Sequence, residues 1–497
     1  MKKTIIRNLV LVTALFVGGL STQAQNYYNA PAMSSANEAM AKVVVEEQLT
    51  DPDKANEAFV KLLKKIKKDK SQALSVGDYF LNNDNYPAAS QCAKLLETLD
   101  PTGIDALMFR GQVHMYAKQY GQAGQCFDQV LAIDPNYVPA LRRNAHVYKN
   151  VNPYVAIEAL NKIKQIEPEN YDAEKELGDI YFKLNNNKEA AAHYGEYYSR
   201  VPKDVDNLNI VACENYMMAL FSQADFAKIK EVAGVVESLA PGGRMLKRMK
   251  FIANYEYARN SINYAEEMPK VEEMLGYITN QEYHDSVYLY MDYAYAAEYM
   301  KEVKKVDEAI KYYNLAYAKD PKKISVLNDV SRLYRQTKQY DQAIEATKKY
   351  LELSGENAKL SDLLRLGQTY VFAAQQDSLT AEKRAEYVKE GEAVLADVLA
   401  KDSTAYQALL YRARINITDP NSAEEKPREY YEESLAMMEG REGISAAQVE
   451  AYRYLAFYWL KKEDYKKTRS FVNKLLEIDP DNAFGKNLDS ALKSNGL

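Results

Sequence analysis

Cysteine is scarce in this 497-residue chain. Cys92, Cys126 and Cys213 are the whole set, and an odd number excludes a complete intrachain disulfide framework. The four histidines, His114, His146, His193 and His284, are isolated from one another, and no H-E-x-x-H pair is present. Equally absent are a G-x-x-x-x-G-K-[ST] phosphate loop, a dinucleotide fingerprint behind a strand, and a G-x-S-x-G elbow. The expectation is therefore no catalytic residue, no cofactor and no metal site. Charge of one sign is not in large excess: 64 basic against 70 acidic residues leave a net charge of -6, unlike the basic footprint of a nucleic-acid binder. No stretch rich in Gly, Pro or Ser divides the chain, although its length exceeds one ordinary core. After residue 24 no apolar run is long enough to span a bilayer.

The beginning of the chain is different. Lys2, Lys3 and Arg7 precede an apolar run from Leu9 to Leu20, and Thr22 and Ala24 supply small residues at cleavage-site spacing. That order reads as a secretory signal peptide, residues 1–24, with Gln25 as the new N-terminus. Removing its three positive charges takes the net charge from -6 to -9. The expected location is the periplasm or cell envelope of a Gram-negative bacterium, with no transmembrane segment and at most a peripheral association with the envelope.

What is plentiful is repetition. Gly77, Gly111, Ala145 and Gly178 are followed by Pro101, Pro135, Pro168 and Pro202, and the prolines are spaced by 34, 33 and 34 residues. Ala89, Ala123, Ala156 and Ala190 fall between them, with Tyr86, Tyr120 and Tyr154 nine residues after the small residue. Self-similarity at this period predicts stacked helical hairpins, since one hairpin cannot bury its own apolar face. In the cleanest copy, Asp105 to Lys118 and Tyr120 to Ile133 carry apolar residues at helical spacing. Gly111 facing Ala123 is expected to let these two helices approach closely, and Pro135 to turn the chain after the second. Cys92 and Cys126 share one repeat position. Packed helix axes lie about 8–10 Å apart, beyond the roughly 7 Å Cα reach of a disulfide, so both read as buried small apolar residues. The 41 tyrosines and Trp459 read mainly as packing between helices, and so do His114 and His193.

These residues resemble the tetratricopeptide repeat (TPR) family, in its exported, Bacteroidetes-like form. The resemblance implies an all-α fold, a right-handed superhelical α-solenoid of about ten helix-turn-helix hairpins. Residues 25–50 read as an N-terminal extension, loose at 25–35 and then helical. Residues 51–241 are expected to form an N-terminal TPR array, its first helix running from Asp51 to Lys70. A degenerate repeat over 242–285, a C-terminal array over 286–482 and a capping helix over 483–497 follow. The segment Gln375 to Arg384 is an insertion expected to lengthen one unit.

In this family the first helix of each hairpin lines a concave groove, with residues one and four places after the small residue pointing into it. Carried over, this gives His146 and Lys149, Asp179 and Phe182, Arg332 and Arg335, and Gln368 and Val371. The position three before the small residue adds Arg142, Lys175 and Asn328. Cations at such places can receive acidic side chains or a terminal carboxylate of an extended peptide. The Lys/Asn/Asn/Lys/Arg carboxylate clamp of chaperone adaptors is missing, because Asp172 and Glu176 stand where two of its basic groups belong. The implied function is a non-enzymatic scaffold binding a partner protein or peptide in the groove. The alternative is a glycan-binding envelope protein similar to the SusD-like TPR proteins, although neither a lipidated cysteine nor their long loops are present.

Overall fold

The computed structural model describes residues 28–419 and 422–496, and the signal-peptide segment lies outside them. The described residues are helical with no strand. Helices follow one another as antiparallel hairpins, an all-α solenoid construction, in two compact units that divide at Pro269. The first unit contains the pairs Ser35–Glu47/Pro52–Ile66, Lys70–Asn82/Tyr86–Leu99, Ile104–Tyr116/Tyr120–Ile133, Val138–Tyr148/Pro153–Ile166, Tyr171–Lys183/Asn187–Arg200 and Ile210–Phe221/Phe226–Leu239. Helix Arg244–Arg259 follows. The second unit contains Tyr290–Glu302/Val306–Lys319, Ser325–Gln336/Tyr340–Ser354, Leu360–Ala374/Ala381–Lys401, Tyr406–Thr418/Glu425–Met438 and Ser445–Lys461/Tyr465–Ile478, closed by Ala483–Ser494. The unit boundary falls inside the helix Tyr264–Met274, in the part of the sequence where the repeat pattern degrades.

Local chemistry explains the breaks. Asp51, Asp69, Asn85, Asn170, Asn186, Asn209, Asp225, Asp464 and Asn482 each accept a backbone N–H two or three residues into the helix they precede. Asp69 opens its own helix, so the lysine-rich run ends one helix at Ile66 and Lys70 begins the next, instead of closing a single helix from Asp51 to Lys70. Inside the hairpins the turn recurs at one repeat position. Asp84, Lys118, Asn185, Ala224, Lys304, Lys338 and Glu463 all have φ between 56° and 61°, the left-handed region that reverses the chain in few residues. The insertion does two things: the second helix of its hairpin grows to 21 residues. In addition, Arg384 turns back to donate to the carbonyl oxygens of Ala374 and Gln376, which caps the preceding helix.

The small repeat residue has a different partner from the one its spacing suggests. A Cβ added at Gly111 would lie 2.4 Å from the Phe127 ring, and one at Gly178 would lie 2.6 Å from Tyr194. At both places the atoms nearest the missing Cβ belong to the large side chain sixteen residues on. Where the small residue is Ser331, residue 347 is threonine, and the two hydroxyls share a buried 2.6 Å hydrogen bond. Small-and-large has been exchanged for a polar pair of intermediate size. The lead-in is likewise not loose: Tyr28 is buried, 5% exposed, and the segment after it lies along helix Lys70–Asn82.

All three cysteines are free and buried, as the shared repeat position suggested for Cys92 and Cys126. Of the recurring tyrosines, Tyr86 is half-buried, but Tyr120 and Tyr154 are 45% and 73% exposed and do not fill a seam. They sit at or beside the first position of the second helix, outside its buried residues.

Candidate functional site

In the second unit, helix Ser325–Gln336 buries Val326, Leu327, Val330 and Leu333. This leaves Asn328, Asp329, Arg332 and Arg335 on its other side. The next first helix, Leu360–Ala374, presents Arg365 and Gln368 in the same way, with Asp362 buried beside them, and Tyr406–Thr418 presents Tyr411 and Arg414. These side chains join across repeats. Arg335 Nη1 donates to Gln368 Oε1 at 3.2 Å, and Gln368 Nε2 donates to the Tyr411 hydroxyl at 2.7 Å. Arg365 donates to Asn328 at 2.9 Å and to Asp362 at 2.5 Å. Arg332 pairs with Asp329 at 2.5 Å. Arg414 pairs with Glu450 and lies over the Tyr411 ring, 5.0 Å from its centroid.

The charges do not cancel. Arg332, Arg335 and Arg365 face two nearby carboxylates, Asp329 and Asp362, and among the described residues no carboxylate lies within ion-pair distance of Arg335. Burial first, and then the neighbouring Arg365 and Arg332, hold the Arg335 guanidinium below its usual pKa. The buried Nε atoms of Arg335 and Arg365 have no hydrogen-bond partner. Such an arrangement favours an incoming anion, because a carboxylate would relieve the mutual repulsion and satisfy donors that water reaches poorly.

The first unit brings the other predicted residues together, but in a different electrical state. Arg142 pairs with Glu167 at 3.3 Å, and Lys175 pairs with Asp179 at 3.0 Å. Asp179 also accepts from the Tyr194 hydroxyl at 2.7 Å, and Phe182 sets its edge against the same ring. Lys149 Nζ lies 3.4 Å from His146 Nδ1, a contact that suits a neutral imidazole as acceptor. Burial, then Lys149 and Arg143, press the His146 pKa down to about 4. Burial raises the Glu176 carboxyl, against the pull of Lys175, Lys149 and Arg142. The carried-over residues here therefore form a mixed, internally compensated cluster.

Val371 does not belong to a groove: it is 1% exposed in the core beside Tyr370 and Ala374. His193 stacks on Tyr181 and bonds Glu174, a seam residue as expected, whereas His114 is half-buried at a hairpin end against Gln119. Trp459 is half-buried, with Lys467 3.4 Å from its ring centroid. Arg365, Tyr411 and Arg414 were missed by the family positions. Arg365 stands two places before Gly367, a position that the family carry-over does not use. Among the described residues no group of three or more His, Cys, Asp or Glu is placed to hold a metal, and no helix is long and apolar enough to cross a membrane.

Comparison with known proteins agrees with this geometry. Residues 104–137 and 324–357 each match the tetratricopeptide repeat. Over 129 residues, 26% of the chain, the sequence is 30% identical to sperm-associated antigen 1 of Mus musculus and 28% identical to that of Rattus norvegicus. The chain spans 14% of the length of these relatives. Among solved structures, the C-terminal part of a TPR repeat-containing protein from Cytophaga hutchinsonii covers 55% of this chain and 98% of its own. It has 17% identity and a TM-score of 0.42. YrrB, described as a TPR protein with an unusual peptide-binding site, covers 38% of this chain and 95% of its own at 15% identity and a TM-score of 0.33. At such scores neither carries an argument about ligands. The two matched segments coincide with one hairpin in each unit, and the chain contains tetratricopeptide repeats at these places.

Proposed function

We propose that this chain is a non-enzymatic interaction scaffold of a bacterial periplasm or cell envelope, holding a partner protein or peptide against the first-helix faces of its repeats. The leader-like residues 1–24 support the location, and the missing catalytic motifs support the absence of chemistry. The carrying observation is the uncompensated Arg332/Arg335/Arg365 cluster, with Asn328, Gln368 and Tyr411 around it. It suits an acidic side chain or a terminal carboxylate on an extended peptide. The compensated cluster of Arg142, His146, Lys149, Lys175, Asp179 and Phe182 supplies a second, less charged part of the partner surface.

The test is binding of a labelled glutamate-rich peptide with a free C-terminal carboxylate, measured by fluorescence anisotropy at two salt concentrations. Binding is expected to weaken with salt, and Arg335→Gln to lower affinity about tenfold, or about 1.4 kcal/mol. No binding at millimolar peptide, or equal binding by the Arg335→Gln/Arg365→Gln double variant, sinks the reading. A glycan array, with Phe182→Ala as control, decides the alternative of a carbohydrate ligand.

A further inference from the structure

We infer that the groove face of the two repeats beginning at Lys70 and Ile104 is a seat for an extended, tyrosine-bearing peptide, and that residues 28–34 of the same chain fill it as a displaceable strap. This goes beyond the cationic cluster proposed above and does not depend on it. The strap carries no helix or strand, and among the described residues residues 28–33 have no backbone–backbone hydrogen bond with the rest of the fold. It is held as a ligand is held, by side chains reaching its backbone. Ser75 Oγ donates to the Pro31 carbonyl at 2.7 Å, and Gln72 Nε2 donates to that of Ala32 at 3.1 Å. The Asn29 and Ser34 amides donate to Asp105 at 3.0 Å and to Gln72 Oε1 at 2.9 Å. Main-chain bonds give affinity without demanding much sequence, and one pocket gives selectivity.

That pocket takes Tyr28. Its hydroxyl donates to Asp78 Oδ1 at 2.7 Å, and its ring meets Phe109 edge-on, with centroids 5.8 Å apart. From Asn29 to Ser34 the side chains are exposed or half-buried, so Tyr28 is the single deep anchor of the segment. Asp78 follows Gly77 immediately, the same repeat position that places His146, Asp179, Arg332 and Gln368. The strap therefore covers, in these two repeats, the helix position that carries His146 and Asp179 further along the same unit. A partner strand offering a tyrosine hydroxyl to Asp78, a ring edge to Phe109 and backbone groups to Gln72, Ser75 and Asp105 would compete with it.

The probe is an acetylated, fluorescein-labelled peptide of residues 28–36, titrated against the full chain. Wild type, its seat filled, is expected to bind at least tenfold more weakly than Tyr28→Ala, whose emptied seat is free. Adding Asp78→Ala to Tyr28→Ala should remove that gain, and so should replacing the tyrosine of the peptide by alanine. Equal binding by wild type and Tyr28→Ala, or none by either with circular dichroism unchanged, overturns the proposal. Should Tyr28→Ala fail to fold, hydrogen exchange on the wild-type chain decides. Amides of Asn29 and Ser34 exchanging at least tenfold faster than those of Leu81 and Phe80 support a strap that lifts by itself; exchange at the same rate makes it an inseparable part of the core.

Discussion

Gly111 and Gly234 predict opposite outcomes for one substitution. Both lie within helices, Ile104–Tyr116 and Phe226–Leu239, so exchange for alanine gains about 1 kcal/mol of helix propensity at either place. At Gly234 a new Cβ meets nothing within 4 Å. At Gly111 it meets three ring carbons of the fully buried Phe127, at 2.4, 2.7 and 3.0 Å. The ring is locked in the hairpin core, and displacing it should cost about 1–3 kcal/mol as overpacking does elsewhere. Gly234→Ala should therefore stabilise by about 0.5–1 kcal/mol, while Gly111→Ala loses that gain and destabilises. The difference between the two variants isolates the collision, because the propensity contribution cancels. Urea unfolding followed by circular dichroism measures both. Because repeat arrays need not unfold in one step, hydrogen exchange of residues 104–133 should accompany it. Phe127→Leu in the Gly111→Ala background should recover part of the loss as a coupling energy. Equal stabilisation by the two alanine variants would refute the claim that these helices approach through a glycine and a ring.

Three further outcomes follow from the same packing. His146 is held neutral in the fold with a pKa of about 4, whereas the unfolded imidazole keeps the ordinary 6.5, so the unfolded state binds the proton first. Stability should be complete above pH 6.5 and fall as the pH drops towards 4, by less than about 1.4 kcal/mol per unit for this half-exposed group. An NMR titration with a midpoint at or above 6.5 would contradict this, and His146→Gln should flatten the profile. Burial pushes the Cys92 and Cys213 thiols up to about 12 and raises Cys126 as well, so a thiol reagent at pH 8 should label none in the native protein and all three in denaturant. Thr347→Phe should destabilise by colliding with Ser331, and adding Ser331→Gly should restore much of the loss by recreating the Gly111/Phe127 arrangement, as read by thermal unfolding.

Most of the hairpin architecture was legible because it rests on signals that a period exposes. Small residues, N-capping Asp and Asn, and terminal prolines recur at fixed offsets, and each acts locally. The failures concern contacts that spacing alone does not identify. The spacing points to Ala123 opposite Gly111 but does not reveal that a large ring, that of Phe127, enters closest to the glycine. Tyr120 and Tyr154 match family positions, but a residue at the first turn of a helix lies at the end of its apolar stripe and faces water. Asp51 to Lys70 reads as continuous because, beyond Pro52 in its first turn, it has no proline or glycine; the Asp69 cap that divides it is a single side-chain hydrogen bond.

The site was less legible because charge in a stacked array is paired one period away. Arg335 reaches Gln368 across 33 residues, Arg365 reaches Asn328 across 37, and Lys183 reaches Asn150 across 33. Lys305 pairs with Glu272 and Lys319 with Asp285 over 33 and 34. Whether a groove cation is free is therefore set partly by its own helix, as Lys175 and Asp179 show at four residues, and partly by the residues one repeat up or down. Arg142 and Lys175 looked like a basic patch until Glu167 and Asp179 were seen to neutralise them. Arg335 kept its excess charge because the repeat above supplies an amide and a third arginine in place of an acid. In a helical array, a cation stays open to an anion where the repeat register withholds a carboxylate, and under the proposed function that register, more than net charge, is what singles out the Arg335 face.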